Sequence, residues 1–214
     1  MESLGEKRKR AANVVVLLRK LFPSAKIVLK YRNNWELLVA VILSAQCTDK
    51  KVNEITEKLF KKYKSLADYV KADPREFEQD IRPAGFFRNK TKNILAAARM
   101  VQERFGGKIP RTMEEMLCLP GVARKTANVV LGNAYGIVEG IAVDTHVLRL
   151  SQKLGLTKHK DPVKVEQDVM KLVPRKDWFF FTYGMIEYGR HVCPARKHDC
   201  KAHVALTCGP RAIP

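Results

Sequence analysis

Apolar residues recur at helical spacing through most of the chain. Val52, Ile55 and Leu59 fall three or four positions apart, which places them on one face of a helix. The segment 35–43 is apolar on nearly every side, so we expect it to form a central, buried helix. Strict alternation of apolar and polar residues, typical of strands, occurs only briefly at 26–30. The pattern predicts an all-α protein.

Caps and breaks set the expected limits of these helices. Ser, Thr, Asn or Asp stands before most of them, and Pro occupies the first helical position in two. The predicted helices are 8–21, one after Asn33 or Asn34, one through 52–63, short ones after Ser65 and Asp73, 89–105, one after Thr112 that ends at Leu119, 124–132, one from Asp144 or Thr145 to 154, 162–174 and 177–189.

A Pro-Gly break separates two of the predicted helices. The residues from 117 to 130 are LCLPGVARKTANVV, and Gly121 permits backbone angles closed to other residues. The turn and the start of the next helix present backbone N–H groups, which suit a phosphate. That second helix is too apolar to recognise bases in the major groove as a helix-turn-helix protein does. The hairpin therefore predicts that main-chain N–H groups of the protein bind the phosphate backbone of a nucleic acid.

The charge of the chain also points to a polyanionic partner. Forty Lys and Arg against 22 Asp and Glu give a formal net charge of +18. Neutralising phosphates releases counterions and supplies sequence-independent affinity, although charge alone would also suit an anionic membrane surface. No run approaches the roughly 20 apolar residues of a membrane span. We expect a monomer that binds nucleic acid, has no membrane segment and is cytoplasmic (nucleoid-associated) if its source is prokaryotic.

The hairpin, followed by AVDTH at 142–146, resembles the endonuclease III family of helix-hairpin-helix DNA glycosylases. The similarity continues through ELLVAVILSAQCTDKKVN at 36–53 and GFFRNKTKNI at 85–94, and reaches the cysteine-bearing end of the chain. It implies a two-lobed all-α fold with a six-helix barrel lobe. The implied lobes are 27–138, with the helix-hairpin-helix at about 113–132, and a second helical lobe made of 1–26 and 139–214.

The resemblance implies a bifunctional DNA glycosylase and AP lyase of base excision repair. Lys125 matches the lysine whose amine attacks C1′ of the damaged nucleotide, displaces the base and forms a Schiff base, after which β-elimination cuts the strand on the 3′ side. An attacking amine must be unprotonated, and the positive end of the hairpin helix and partial burial would both favour that state. Asp144 matches the carboxylate that stabilises the cationic sugar, and it is also suited to cap a helix.

The implied substrate is double-stranded damaged DNA with an oxidised or saturated pyrimidine, or an abasic site. Related glycosylases prefer other lesions, such as mismatched thymine, so that alternative stays open. A second alternative is a non-catalytic DNA-binding protein, in which Lys125 would only contact phosphate. The monofunctional adenine-glycosylase branch lacks a lysine at this position, and the lysine here favours a lyase.

A stacked base must be flipped out of the duplex before it can react. The resemblance assigns Gln46 to the vacated space and Phe86 to a wedge in the opposite strand, where the family often has Leu. Arg88 and Lys90 beside the wedge are candidate phosphate contacts. The alternatives are a polar helix end for Gln46 and core packing for Phe86.

Further DNA contacts are expected from the hairpin turn. Ala123 stands where the family often has Gly, and alanine disfavours positive φ, so we expect a slightly adjusted turn. The expected contacts are Gly121, Val122, Ala123, Arg124 and Thr126.

Three of the five cysteines crowd the end of the chain, which favours a reducing compartment and a local metal site. The order is Cys193-x6-Cys200-x2-His203-x4-Cys208, whereas the family has C-x6-C-x2-C-x5-C around a 4Fe–4S cluster. Three hypotheses stay open: a 4Fe–4S cluster with one His ligand, a zinc ion, or no metal. The three remaining thiolates favour the cluster. The other two cysteines, in apolar helices, are expected to be buried structural thiols.

Overall fold

The computed structural model describes residues 2–198. This part of the chain is helical and contains no strand, which confirms the all-α prediction, and 26–30 is irregular. No helix within it is both long and apolar enough to cross a bilayer. Its helices are α1 (Leu4–Leu21), α2 (Asn34–Leu43), α3 (Asp49–Lys62), α4 (Leu66–Lys71), α5 (Pro74–Ile81), α6 (Phe87–Arg104), α7 (Met113–Cys118), α8 (Arg124–Tyr135), α9 (Thr145–Lys153), α10 (Pro162–Leu172) and α11 (Trp178–His191), with 3-10 helices at Arg82–Ala84 and Arg175–Asp177.

Most helices begin where a capping side chain predicts. Asn33 caps α2 and Thr112 caps α7, each by accepting a backbone N–H three residues further on. The prediction for α1 was wrong by one turn: it begins at Leu4, because Ser3 and Glu6 form a reciprocal capping box. The run of basic residues after Glu6 hid this turn from the apolar pattern.

The chain divides into two compact units, of which Val28–Ile137 is one. Helix α2 is its centre: every residue of α2 after Asn34 is buried, and α3, α6 and α8 pack around it. An aromatic cluster of Trp35, Tyr63, Tyr69 and Phe77 fills the space beside α2, with ring centroids 5.2–5.8 Å apart. A helix that is apolar on all sides is stable only when neighbouring side chains shield it from water.

The segments before Val28 and after Ile137 form the other unit, in which α1, α9, α10 and α11 share one apolar core. Glycines on α11 permit close helix approach. A Cβ at Gly184 would lie 3.1 Å from the Cβ of Leu18 on α1, and a Cβ at Gly189 would lie 3.0 Å from Cγ of His146 on α9. The absence of a side chain at these positions brings α1 and α9 against α11.

Candidate functional site

The hairpin consists of α7, the turn 119–123 and α8. Helix α7 is capped by Thr112, whereas the N-cap of α8 is Ala123, whose methyl side chain cannot accept a hydrogen bond. The first turn of α8 therefore has no side-chain cap, and its N–H groups carry the positive end of the helix dipole. This is the arrangement that binds a phosphate.

Gly121 shapes the turn in two ways. Its φ is +79°, in the region that favours glycine. A Cβ on Gly121 would also lie 2.8 Å from the Cβ of Asn93 on α6, so the turn rests directly against that helix. Ala123 has φ −93° and ψ 171°, which alanine adopts without strain. The turn therefore requires no positive φ at Ala123.

Lys125 lies in the first turn of α8 with an exposed side chain. The expectation of partial burial was wrong, and the amine is open to an incoming ligand. Arg124 and Thr126 beside it are half-buried. Val122 buries its side chain and donates its N–H to the Leu119 carbonyl at 3.1 Å. Val122 therefore stabilises the turn itself, and its predicted contact with DNA stays a prediction.

Asp144 belongs to the other unit, where it caps α9. Its Oδ1 accepts the N–H of Val147 at 2.8 Å, as the sequence predicts for a capping aspartate. The cap needs only this one oxygen and fixes the direction of the half-buried carboxylate. His146, two residues further along, packs against α11 at Gly189.

Gln46 and Phe86 share an uncommon backbone conformation. They are the two non-glycine residues with positive φ in the described part of the chain, at +53° and +48°. Both side chains are exposed, and Phe86 is 65% exposed, which excludes core packing. Helix α2 ends at Leu43, so Gln46 lies beyond the helix end. Such strained residues persist only where the surroundings hold them, and they concentrate at functional sites.

Arg88 and Lys90 differ although both lie at the start of α6. Arg88 is exposed, with its guanidinium carbon 5.3 Å from the centre of the Phe87 ring. Lys90 is 5% exposed, and its Nζ donates to the carbonyls of Leu43 at 2.8 Å and Ala84 at 2.9 Å. The predicted phosphate contact of Lys90 was wrong, because its ammonium is buried on main-chain acceptors.

Burial lowers the pKa of Lys90, and the nearby Cys47 thiol opposes that shift. Sequence reasoning missed this role because the run RNKTK looks like a solvated helix face. The available signal is the spacing of four residues to Ile94, which places Lys90 on the buried face of α6.

The end of the chain holds the candidate metal ligands, and only Cys193 belongs to the described residues. Cys200, His203 and Cys208 lie outside them. Within 2–198 no three His, Cys, Asp or Glu side chains come together as a metal site. Three thiols and one imidazole are an ordinary donor set for zinc, and iron–sulfur clusters also accept His ligands, so the donor set fits either group.

Cys193 is buried between two cations of α9. Lys153 Nζ lies 3.4 Å and Arg149 Nη1 3.8 Å from its Sγ, and Arg149 Nη2 donates to its carbonyl at 2.7 Å. Two cationic side chains therefore lie beside the first of the candidate metal ligands. The expectation of buried structural thiols was wrong at the other two cysteines, because Cys47 is half-buried in the turn after α2 and Cys118 is exposed.

Comparison with known proteins gives consistent matches. Residues 39–175 match the family of HhH-GPD superfamily base excision DNA repair proteins. Endonuclease III of Synechocystis sp. is 51% identical over 94% of this chain and 91% of its own length. A non-covalent endonuclease III–DNA complex is 41% identical with a TM-score of 0.88, covering 94% of this chain and 92% of that one. A trapped covalent intermediate of endonuclease III and DNA matches with the same identity and TM-score over 94% and 93%.

Proposed function

Because this chain belongs to the endonuclease III family of HhH-GPD superfamily base excision DNA repair proteins, we propose that it is a bifunctional DNA glycosylase and AP lyase. It removes an oxidised or saturated pyrimidine from duplex DNA and cleaves 3′ to the resulting abasic site. The observation that carries this function is Lys125, an exposed amine on the first turn of a hairpin helix, in a chain similar to an endonuclease III trapped covalently on DNA.

Lys125 is the nucleophile. Its amine attacks C1′ as the bond from C1′ to the base breaks, and the base leaves with the electron pair. The resulting amine adduct becomes a Schiff base when the sugar ring opens. A proton is then lost from C2′ and the C3′–oxygen bond breaks, so the strand on the 3′ side leaves with a 5′ phosphate, and water hydrolyses the remaining imine to free Lys125. The exposure of Lys125 supports this role, since the sugar must come within bonding distance of the amine.

Asp144 stabilises the positive charge that develops on the sugar as the base departs. A carboxylate held in a fixed direction does this better than a mobile one, because it need not reorganise during the reaction. The hydrogen bond from Val147 N–H to Oδ1 supplies that fixed direction.

The hairpin binds the phosphate backbone through main-chain N–H groups, with Gly121, Ala123, Arg124 and Thr126 at the turn. Gln46 enters the space left by the flipped base, and Phe86 separates the opposite strand. Their exposure and strained backbone support these roles. The net charge of +18 supports duplex DNA as the partner of a monomeric protein, in the cytoplasm if the source is prokaryotic.

The cysteine-bearing end holds a 4Fe–4S cluster through Cys193, Cys200, His203 and Cys208, and zinc is the alternative occupant of the same donors. When bound, such a group cross-links the last segment of the chain through metal–thiolate bonds. Lys153 and Arg149 beside Cys193 offset the charge of that thiolate.

Borohydride trapping on a duplex with one thymine glycol tests the lyase directly. Wild type should give a covalent adduct, and Lys125→Gln should give none while still binding DNA. Lys58→Gln, which removes the same charge from an exposed site on α3, is the matched control and should be trapped like wild type.

A wild type that binds but is never trapped would contradict the lyase. Release of free base would then identify a monofunctional glycosylase, and no release would identify a non-catalytic DNA-binding protein. A parallel duplex with a thymine mismatch tests the alternative lesion.

A further inference from the structure

Lys90 places a cation inside the unit formed by Val28–Ile137. Its side chain is nine-tenths buried, and its Nζ donates to the carbonyls of Leu43 and Ala84 at 2.8 and 2.9 Å. Burying an ammonium is costly unless its donors are satisfied. A residue that fills this space only for packing would be apolar. The charge-assisted hydrogen bonds to main-chain oxygens therefore indicate a task that an apolar side chain cannot perform.

The two acceptors mark the ends of two separate chain segments. Leu43 is the last residue of α2, and Ala84 is the last residue of the 3-10 helix before α6. Gln46 follows Leu43 by three residues, and Phe86 follows Ala84 by two. One ammonium group thus joins the two segments that carry the strained, exposed side chains.

The main chain of Lys90 acts on the same segment. Its N–H donates to the Phe86 carbonyl at 3.1 Å, which closes the first turn of α6. Phe86 at φ +48° has no capping side-chain hydrogen bond, and Gln46 at φ +53° lies in the turn after α2. Such strained backbone conformations persist only where several surrounding contacts hold them in place. Lys90 supplies such contacts at both segments.

We propose that Lys90 is a positioning residue whose ammonium ties the end of α2 to the turn before α6, so that Gln46 and Phe86 enter a DNA duplex together. This role rests on the proposed glycosylase function. Opening the duplex needs one group in the vacated space and another against the opposite strand, and their separation must match the stack. Lys90 sets that separation without touching the DNA.

Lys90→Met tests this role because methionine has a similar length and no donor. Excision of thymine glycol from a duplex should fall about tenfold or more, since duplex opening costs a few kcal/mol. Cleavage of an abasic site in single-stranded DNA needs no opening and should stay within about twofold of wild type. The ratio of the two rates is the readout. 2-Aminopurine placed opposite the lesion should brighten less with the variant than with wild type.

Thr91→Val is the matched control: Thr91 is the next residue of α6, is 2% exposed, and its hydroxyl has no hydrogen-bond partner among the described residues. It should leave the ratio unchanged. Lys90→Arg, which keeps the donors, should retain more duplex excision than Lys90→Met. If Lys90→Met fails to fold, Lys90→Gln, which is uncharged and too short to reach both carbonyls, replaces it and is read by the same ratio of rates.

A coupling test separates positioning from general packing. In a chain that already carries Gln46→Ala and Phe86→Ala, Lys90→Met should lower duplex excision by less than twofold further, because coupled residues are not additive. Equal losses on duplex and single strand, or full additivity, would overturn the role of Lys90. A wild type inactive on both substrates would instead overturn the proposed function.

Discussion

Replacing Gly121 with alanine should damage the hairpin turn more than the same change at another left-handed glycine. Gly121 has φ +79°, and an added Cβ would lie 2.8 Å from the Cβ and 3.1 Å from Cγ and Nδ2 of Asn93. Gly136, at the other end of α8, has φ +67° and open space around an added Cβ. Gly136→Ala therefore experiences the same kind of backbone strain without the collision.

The structure sets the size of the difference. Each alanine loses about 1–2 kcal/mol by adopting a left-handed backbone. Gly121→Ala loses about 1–3 kcal/mol more from overpacking, because the Cβ of Asn93 moves only if α6 moves with it. We expect a total of about 2–5 kcal/mol for Gly121→Ala against about 1–2 kcal/mol for Gly136→Ala. For a chain of this size each kcal/mol lowers Tm by about 2–4 °C.

Two measurements check this reasoning. Thermal melting by circular dichroism should give a Tm shift for Gly121→Ala that is about 1.5 to 4 times that for Gly136→Ala. The Kd for a duplex with a stable abasic-site analogue should rise about tenfold for Gly121→Ala, the equivalent of about 1.4 kcal/mol. Gly136→Ala should bind like wild type. Equal Tm shifts, or normal binding by Gly121→Ala, would refute the contact with Asn93 as the cause.

Further predictions concern the Asp144 carboxylate, the packing of α9 against α11, the candidate metal ligand Cys193 and the salt dependence of DNA binding. Asp144→Asn should keep the cap of α9 and the wild-type Tm but lose base excision. Asp144→Ala should lose base excision and also about 1 kcal/mol of stability. Excision by Asp144→Asn would contradict a catalytic carboxylate. Gly189→Ala should collide with His146 and lower Tm by several degrees, and an unchanged Tm would count against this packing. Cys193→Ser should lose bound iron or zinc on elemental analysis, and unchanged metal content would remove Cys193 from the ligand set. The Kd for undamaged DNA should rise steeply with salt, and a flat dependence would contradict binding through phosphate charge.

Local interactions made much of this protein predictable from its sequence. Asn33, Thr112 and Asp144 cap their helices as expected, because a capping side chain bonds to N–H groups only two or three residues away. The break at Gly121 and the buried helix through 35–43 likewise follow from backbone freedom and apolar patterning. These features need no knowledge of what packs against them.

Tertiary structure alone decided the roles of Lys90 and Asn93. Lys90 bonds to Leu43, 47 residues away, and Asn93 limits the space at Gly121 through the approach of a turn to α6. The exposure of Phe86 could not be predicted from the sequence either, since an aromatic residue in a basic run can lie in a core or on a surface. The physical reason is the same for all three residues. Burial and main-chain hydrogen bonds depend on which distant segments of the chain come into contact. The type of a residue determines only which interactions its side chain can form in that environment.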